Sequence, residues 1–170
     1  MPRLVDNLFT CIQTGADHKS FMANLTQEND RFDLNRFVQA QEEIYPRALA
    51  EIQLGRKRSH WMWFIFPQID GLGHSSTARF YAIKSKQEAK AYLDHPVLGK
   101  RLIECSEALL KIRGKSGEEI FGYPDDLKLR SSMTLFASVS ESNLIFSRVL
   151  DQYYGSQPDG QTLELLKQQS

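Results

Sequence analysis

From Asp33 onward the chain is cut into short stretches by helix-starting and helix-stopping residues, and no apolar–polar alternation of four or more residues runs into a hairpin turn. A strand without alternation has no apolar face to bury, so a sheet has nothing to be built from. Ser85-Lys86-Gln87-Glu88 and Ser116-Gly117-Glu118-Glu119 read as capping boxes, in which a hydroxyl and a carboxylate satisfy the unpaired amides of a first turn. Asp33 is placed to cap a run where Leu34, Phe37, Val38 and Gln41 recur at spacings of three and four. Pro46 restarts that run and Gly55 stops it. Pro96 suits the first turn of a stripe formed by Leu98, Leu102, Cys105, Leu109 and Ile112, which ends at Gly114. Pro124, Asp125 and Asp126 open a helix carrying Leu127, Arg130, Met133 and Leu135. Ser140 or Ser142 opens the next, through Leu144, Ile145, Val149 and Tyr153 to Gly155, and Asp159 caps a last one.

The fold expected is one compact all-α domain over residues 33–167, with about six to nine helices joined by connections of usual length. Its core is expected around Trp61, Phe64, Phe66, Leu102, Leu109, Leu135, Phe136 and Val149, with Leu127 buried beside them. The run Trp61–Phe66 has no partner strand and reads as a short buried helix or extended core segment. Residues 1–32 show only Leu4, Leu8, Phe9 and Ile12 as a candidate amphipathic turn and are read as a leader to the domain.

At 170 residues one domain can bury a sizeable core without staples. Cys11 and Cys105 stand apart and are expected as reduced thiols in a cytoplasmic protein. The longest apolar run is far shorter than the roughly 20 residues that span a bilayer, so no membrane partner is expected. Formal net charge is zero, yet residues 56–130 hold an excess of positive charge, +5, balanced by acidic flanks. That bias suits an anionic small molecule and is too weak for specific nucleic-acid binding. Monomer is preferred over homodimer, since aromatic content alone does not demand a twofold contact.

Three blocks are unlike filler: Arg56–Gln68, which contains Ser59-His60-Trp61-Met62-Trp63-Phe64; Gly71-Leu72-Gly73-His74-Ser75-Ser76-Thr77 through Tyr81; and Asp125-Asp126-Leu127-Lys128 through Phe136. Their order and spacing resemble the bacterial family catalogued as domain of unknown function 1810, with the similarity running from about Asp33 to Leu163. The resemblance implies a compact all-helical fold and no particular activity.

The site chemistry therefore rests on the residues. His60, between a basic cluster and an aromatic run, is the candidate for proton transfer. Trp63 or Tyr81 would stack on a planar ligand, and Gln68 would orient it. Gly73, Ser75 and Ser76 supply small residues and amides where a helix begins, a recipe for holding phosphate or carboxylate. Arg130, with Lys128 or Arg79, would hold the anionic group, and Ser131 and Thr134 would add hydroxyls from the same helix. Lys128, Ser131 and Ser132 are expected on one face. No nucleophile elbow occurs, His60, His74 and His95 lack ligand spacing, and neither metal nor cofactor is expected. The function expected is a small-molecule site, catalytic or not, for a nucleotide-like or phosphorylated ligand; the alternative is a non-catalytic helical interaction module. Convergence of His60, Arg79 and Arg130 on one pocket would favour the first.

Overall fold

The computed structural model describes residues 30–169. The expected leader, residues 1–32, lies outside the described residues except at its end. The chain divides at Asp33, and the described part of the first unit is a turn in which the Asp33 N–H donates to the Asp30 carbonyl. The second unit, Leu34–Ser170, is all-helical.

Among the described residues ten helices follow one another: α1 (Asn35–Gln41), α2 (Tyr45–Gln53), α3 (Met62–Ile65), α4 (Ser76–Phe80), α5 (Lys86–Asp94), α6 (Leu98–Lys111), α7 (Gly117–Phe121), α8 (Asp125–Val139), α9 (Ile145–Tyr154) and α10 (Gly160–Lys167). That is one more than the expected range, because single turns such as α3 and α4 count separately. The only approach to a strand among them is an isolated bridge between Ile69 and Ile83. α8 is the hub, packing against α5, α7, α9 and α10, while α6 joins α2, α5 and α9. Every residue expected in the core is buried except Leu127, which is 45% exposed. Leu127 lies one turn before Ser131, and the segment that covers Ser131 stops short of it.

Several caps follow the expected chemistry. Ser116 and Glu119 form a complete capping box at α7, Asp159 caps α10 through the Thr162 N–H, and Gly155 closes α9 in the left-handed region that favours glycine. Others differ. α1 starts at Asn35 with no side-chain cap, because Asp33 itself has a φ of 52° and sits in the preceding turn. Ser85 caps α5, but the Glu88 carboxylate reaches past it to the Lys84 N–H and takes an ion pair with Arg36 at 2.5 Å. Pro96 precedes α6, which begins at Leu98, instead of standing in its first turn, and His95 Nδ1 accepts from the Val97 and Leu98 amides there. Cys105 is free and wholly buried, and desolvation pushes its thiol up to about 12, leaving a small hydrophobe.

Candidate functional site

The first block is organised from below by Glu51 on α2. Its carboxylate, in a residue only 8% exposed, accepts from the Arg58 and Ser59 amides, the Ser59 hydroxyl and the Trp61 indole N–H at 2.5 to 3.1 Å. Burial alone would raise the Glu51 pKa, but those donors outweigh it and hold the carboxyl down to about 2. Trp61 is thereby committed to the core, edge-on to Phe121. Gln41, on the α1 stripe, is buried too, donating to the Phe64 carbonyl and the Tyr92 hydroxyl. Both polar residues fall within helical stripes, and that is the only trace of their role in the sequence.

With its base pinned, the block turns Lys57 and Trp63 toward α8. The Lys57 ammonium reaches Asp125 Oδ2 at 2.8 Å and lies 5.1 Å from the Trp61 ring centre. Lys128 reaches Asp125 Oδ1, also at 2.8 Å, and stands 5.0 Å over the Trp63 ring. One carboxylate therefore serves two ammonium groups whose side chains are only 8% and 24% exposed, and no other carboxylate among the described residues pairs with either. Burial pushes the Asp125 carboxyl up, but hydrogen bonds from Lys128 and Lys57 more than offset this and keep it ionised below the usual carboxylate range. The Asp125–Lys128 spacing of three on a helix signals that pair; Lys57, distant in sequence, carries no such signal.

The second block completes an enclosed cleft with the first. Trp63, Gln68, Ile69, Gly73, Ala78, Tyr81 and Ala82 line it, and it holds about 10 Å³, about the room for a single water. Segment 69–83 forms a loop closed at its neck, where the Ile83 N–H donates to Gln68 and the Asp70 N–H to Ile83. Tyr81 packs on Phe37 and Phe64, and a Cβ on Gly73 would approach that of Ala78 to 2.5 Å, so this turn needs glycine for closeness. The Gln68 side-chain amide makes no hydrogen bond among the described residues. Ser75 is spent capping α4, whose residues are all unburied, and Ser76 is exposed beside it.

The expected convergence of His60, Arg79 and Arg130 does not occur in any of five concavities across the surface. His60 and Arg79 are exposed, without side-chain hydrogen bonds among the described residues. Arg130 donates to the carbonyls of Gln157 and Pro158, Ser131 to Asp159 Oδ2, and Thr134 accepts from the Asp159 N–H. These three residues dock the segment leading into α10, so Lys128 and Ser131, expected on one face, serve different neighbours.

The fold and site together define a class: an all-helical domain whose central helix contributes Asp125 and Lys128, with Lys57 from an earlier loop, to a Lys–Asp–Lys cluster beside a tryptophan-lined cleft. The chain belongs to the family described as protein of unknown function (DUF1810), whose sequence profile matches residues 31–166. It is similar to the crystal structure of the conserved hypothetical protein Rv1873 from Mycobacterium tuberculosis, at 53% identity and a TM-score of 0.80, over 81% of this chain and 99% of that one. No curated protein matches the chain. Among the described residues no helix is long and apolar enough to cross a membrane.

Proposed function

We propose that the protein is a cytoplasmic, monomeric binder of a small anionic ligand with a planar part, nucleotide-like or phosphorylated, and that Lys57, Lys128, Trp63, Gln68 and Tyr81 make the site. The observation that carries this reading is the unbalanced charge of the Lys57–Asp125–Lys128 cluster: two ammonium groups largely out of water share a single carboxylate. Two ammonium groups held largely away from solvent against one directly paired carboxylate leave hydrogen-bonding capacity that the two indole faces do not fill. An incoming phosphate or carboxylate fills it. Trp63, shared between the cluster and the cleft, sets the planar part of the ligand beside the charged part, and Gln68 offers it an unused amide.

The cleft as it stands is too small for such a ligand, so binding lifts the 70–81 loop. That loop is held by the 69/83 neck, the Tyr81 ring contacts, hydrogen bonds from Arg36 and Lys84 to the Phe80 and Arg79 carbonyls and a half-exposed Asp70–Lys84 pair, and the short helix inside it buries no residue. Local opening of such a segment is the expected low-energy motion. No chemical step is assigned, and His60 remains an exposed neighbour of the pinned Ser59 and Trp61.

The test is a thermal-shift titration with AMP, ADP-ribose and ribose 5-phosphate at millimolar concentration. At least one should raise the melting temperature of the wild type, by mass action, and of Arg130→Ala, while leaving Lys128→Ala unmoved. A blank across all three, or an equal shift in Lys128→Ala, transfers the protein to the helical interaction-module reading.

A further inference from the structure

Buried serine and threonine hydroxyls on a helix ordinarily turn back to a carbonyl one turn earlier. α8 carries four hydroxyls: Thr134 donates to Arg130 and Ser138 to Leu135, while the Ser131 hydroxyl lies 3.1 Å from both the Leu127 carbonyl and Asp159 Oδ2. On α6, the buried Ser106 turns back to Leu102. Ser132 does not. It is 0% exposed, and its Oγ has no hydrogen-bond partner among the described residues. An unpaired hydroxyl in a core is a standing cost, which natural structures leave in place only for a reason.

Its position on the helix supplies the reason. At roughly 100° per residue, Ser132 lies about 40° from Lys128 and about 20° from Asp125 around α8, roughly 6 Å further along the axis than Lys128. Lys128 meets Trp63 on one side of it. One turn beyond, Phe136 packs on Tyr92, whose hydroxyl shares the Phe64 carbonyl with Gln41. By that geometry Ser132 falls between the Lys128 and Phe136 positions, on the face of α8 that meets Trp63 and Tyr92. It is remote from the face where Arg130, Ser131 and Thr134 dock the last helix.

Resting on the binding site proposed above, we infer that Ser132 is a ligand-binding hydroxyl at the floor of that site, donating to an oxygen of the ligand's anionic group, phosphoryl or carboxyl. It is reached when the Lys128 ammonium leaves the Trp63 face to meet the same group. The hydroxyl is unpaired because its partner arrives with the ligand, so the residue trades stability of the free protein for affinity.

That trade gives Ser132→Ala a signature a packing residue lacks. The variant should melt at or slightly above the wild-type temperature when free, and should bind AMP and inorganic phosphate at least tenfold more weakly by calorimetry. Ser106→Ala, the control with a satisfied hydroxyl, should bind both as the wild type does. A lowered melting temperature in Ser132→Ala with affinity within twofold of wild type would overturn the role and leave the hydroxyl to a buried water. If Lys128→Ala loses binding while Ser132→Ala keeps it, the site stands and this assignment falls. A wild type that binds neither probe removes the site, and Ser132 with it.

Discussion

Two carboxylates anchor the two ends of the same aromatic block, and they are satisfied in different ways. Glu51 gathers four neutral donors, two amides, a hydroxyl and an indole N–H, all from residues seven to ten positions further along the chain. Asp125 is shared by two positive charges, one at each carboxylate oxygen. Both are held ionised below the ordinary carboxylate range. Glu51 ends with nothing wanting, which is what a structural hub requires. Asp125 positions its lysines without neutralising them, which is what an anion site requires. A depressed carboxylate pKa therefore does not by itself separate architecture from function. The charge balance around it does.

The largest effect should come from breaking the Glu51 hub. Glu51→Ala strands the Trp61 and Ser59 donors in the core and should destabilise the domain by about 3 to 5 kcal/mol in urea unfolding followed by circular dichroism. A loss under about 1 kcal/mol would show that water replaces the carboxylate freely and that the hub is not one. The pH dependence follows with a definite sign. Because the folded pKa of Glu51 is lowered from 4.5 to about 2, its contribution is present in full above the unfolded value and lost as pH falls between the two. Glu51→Gln should flatten the acid limb of the stability curve in that window, while its stability near neutrality drops.

The opposite faces of α8 carry docking and charge. Arg130→Ala removes two hydrogen bonds to the segment before α10 and should cost about 1 to 2 kcal/mol, with faster amide exchange over residues 160–167. An unchanged fold with lost ligand response would make Arg130 a ligand-binding residue instead of a docking one. Lys128→Ala should have the smallest effect on stability, within about 1 kcal/mol, because Asp125 keeps Lys57 as a partner. If Lys128→Ala instead unfolds the domain, the cluster is architecture and the contrast with Glu51 disappears.

Much of the fold could be read from local pattern. Capping residues, glycine stops and apolar stripes are short-range signals, because a helix satisfies its own backbone within four residues and shows only one face to its neighbours. So Ser116, Asp159 and Gly155 acted where their types predicted, and the aromatic core around Trp61, Phe66 and Phe136 formed as expected. The three unusual blocks were also recognisable as unusual, and the meeting of Trp63, Gln68, Gly73 and Tyr81 drew on residues all singled out beforehand. Tertiary structure decided what each polar residue was for. Arg130 and Lys128 are two positions apart on one helix, each able to bind an anion, yet Arg130 meets the segment before α10 and Lys128 meets Asp125 and Trp63. Gln41 and Lys57 found partners 51 and 68 positions away, through packing that no local pattern encodes. Long-range polar pairing depends on where whole helices come to rest, and that is set by the summed burial of apolar faces rather than by any residue's own chemistry.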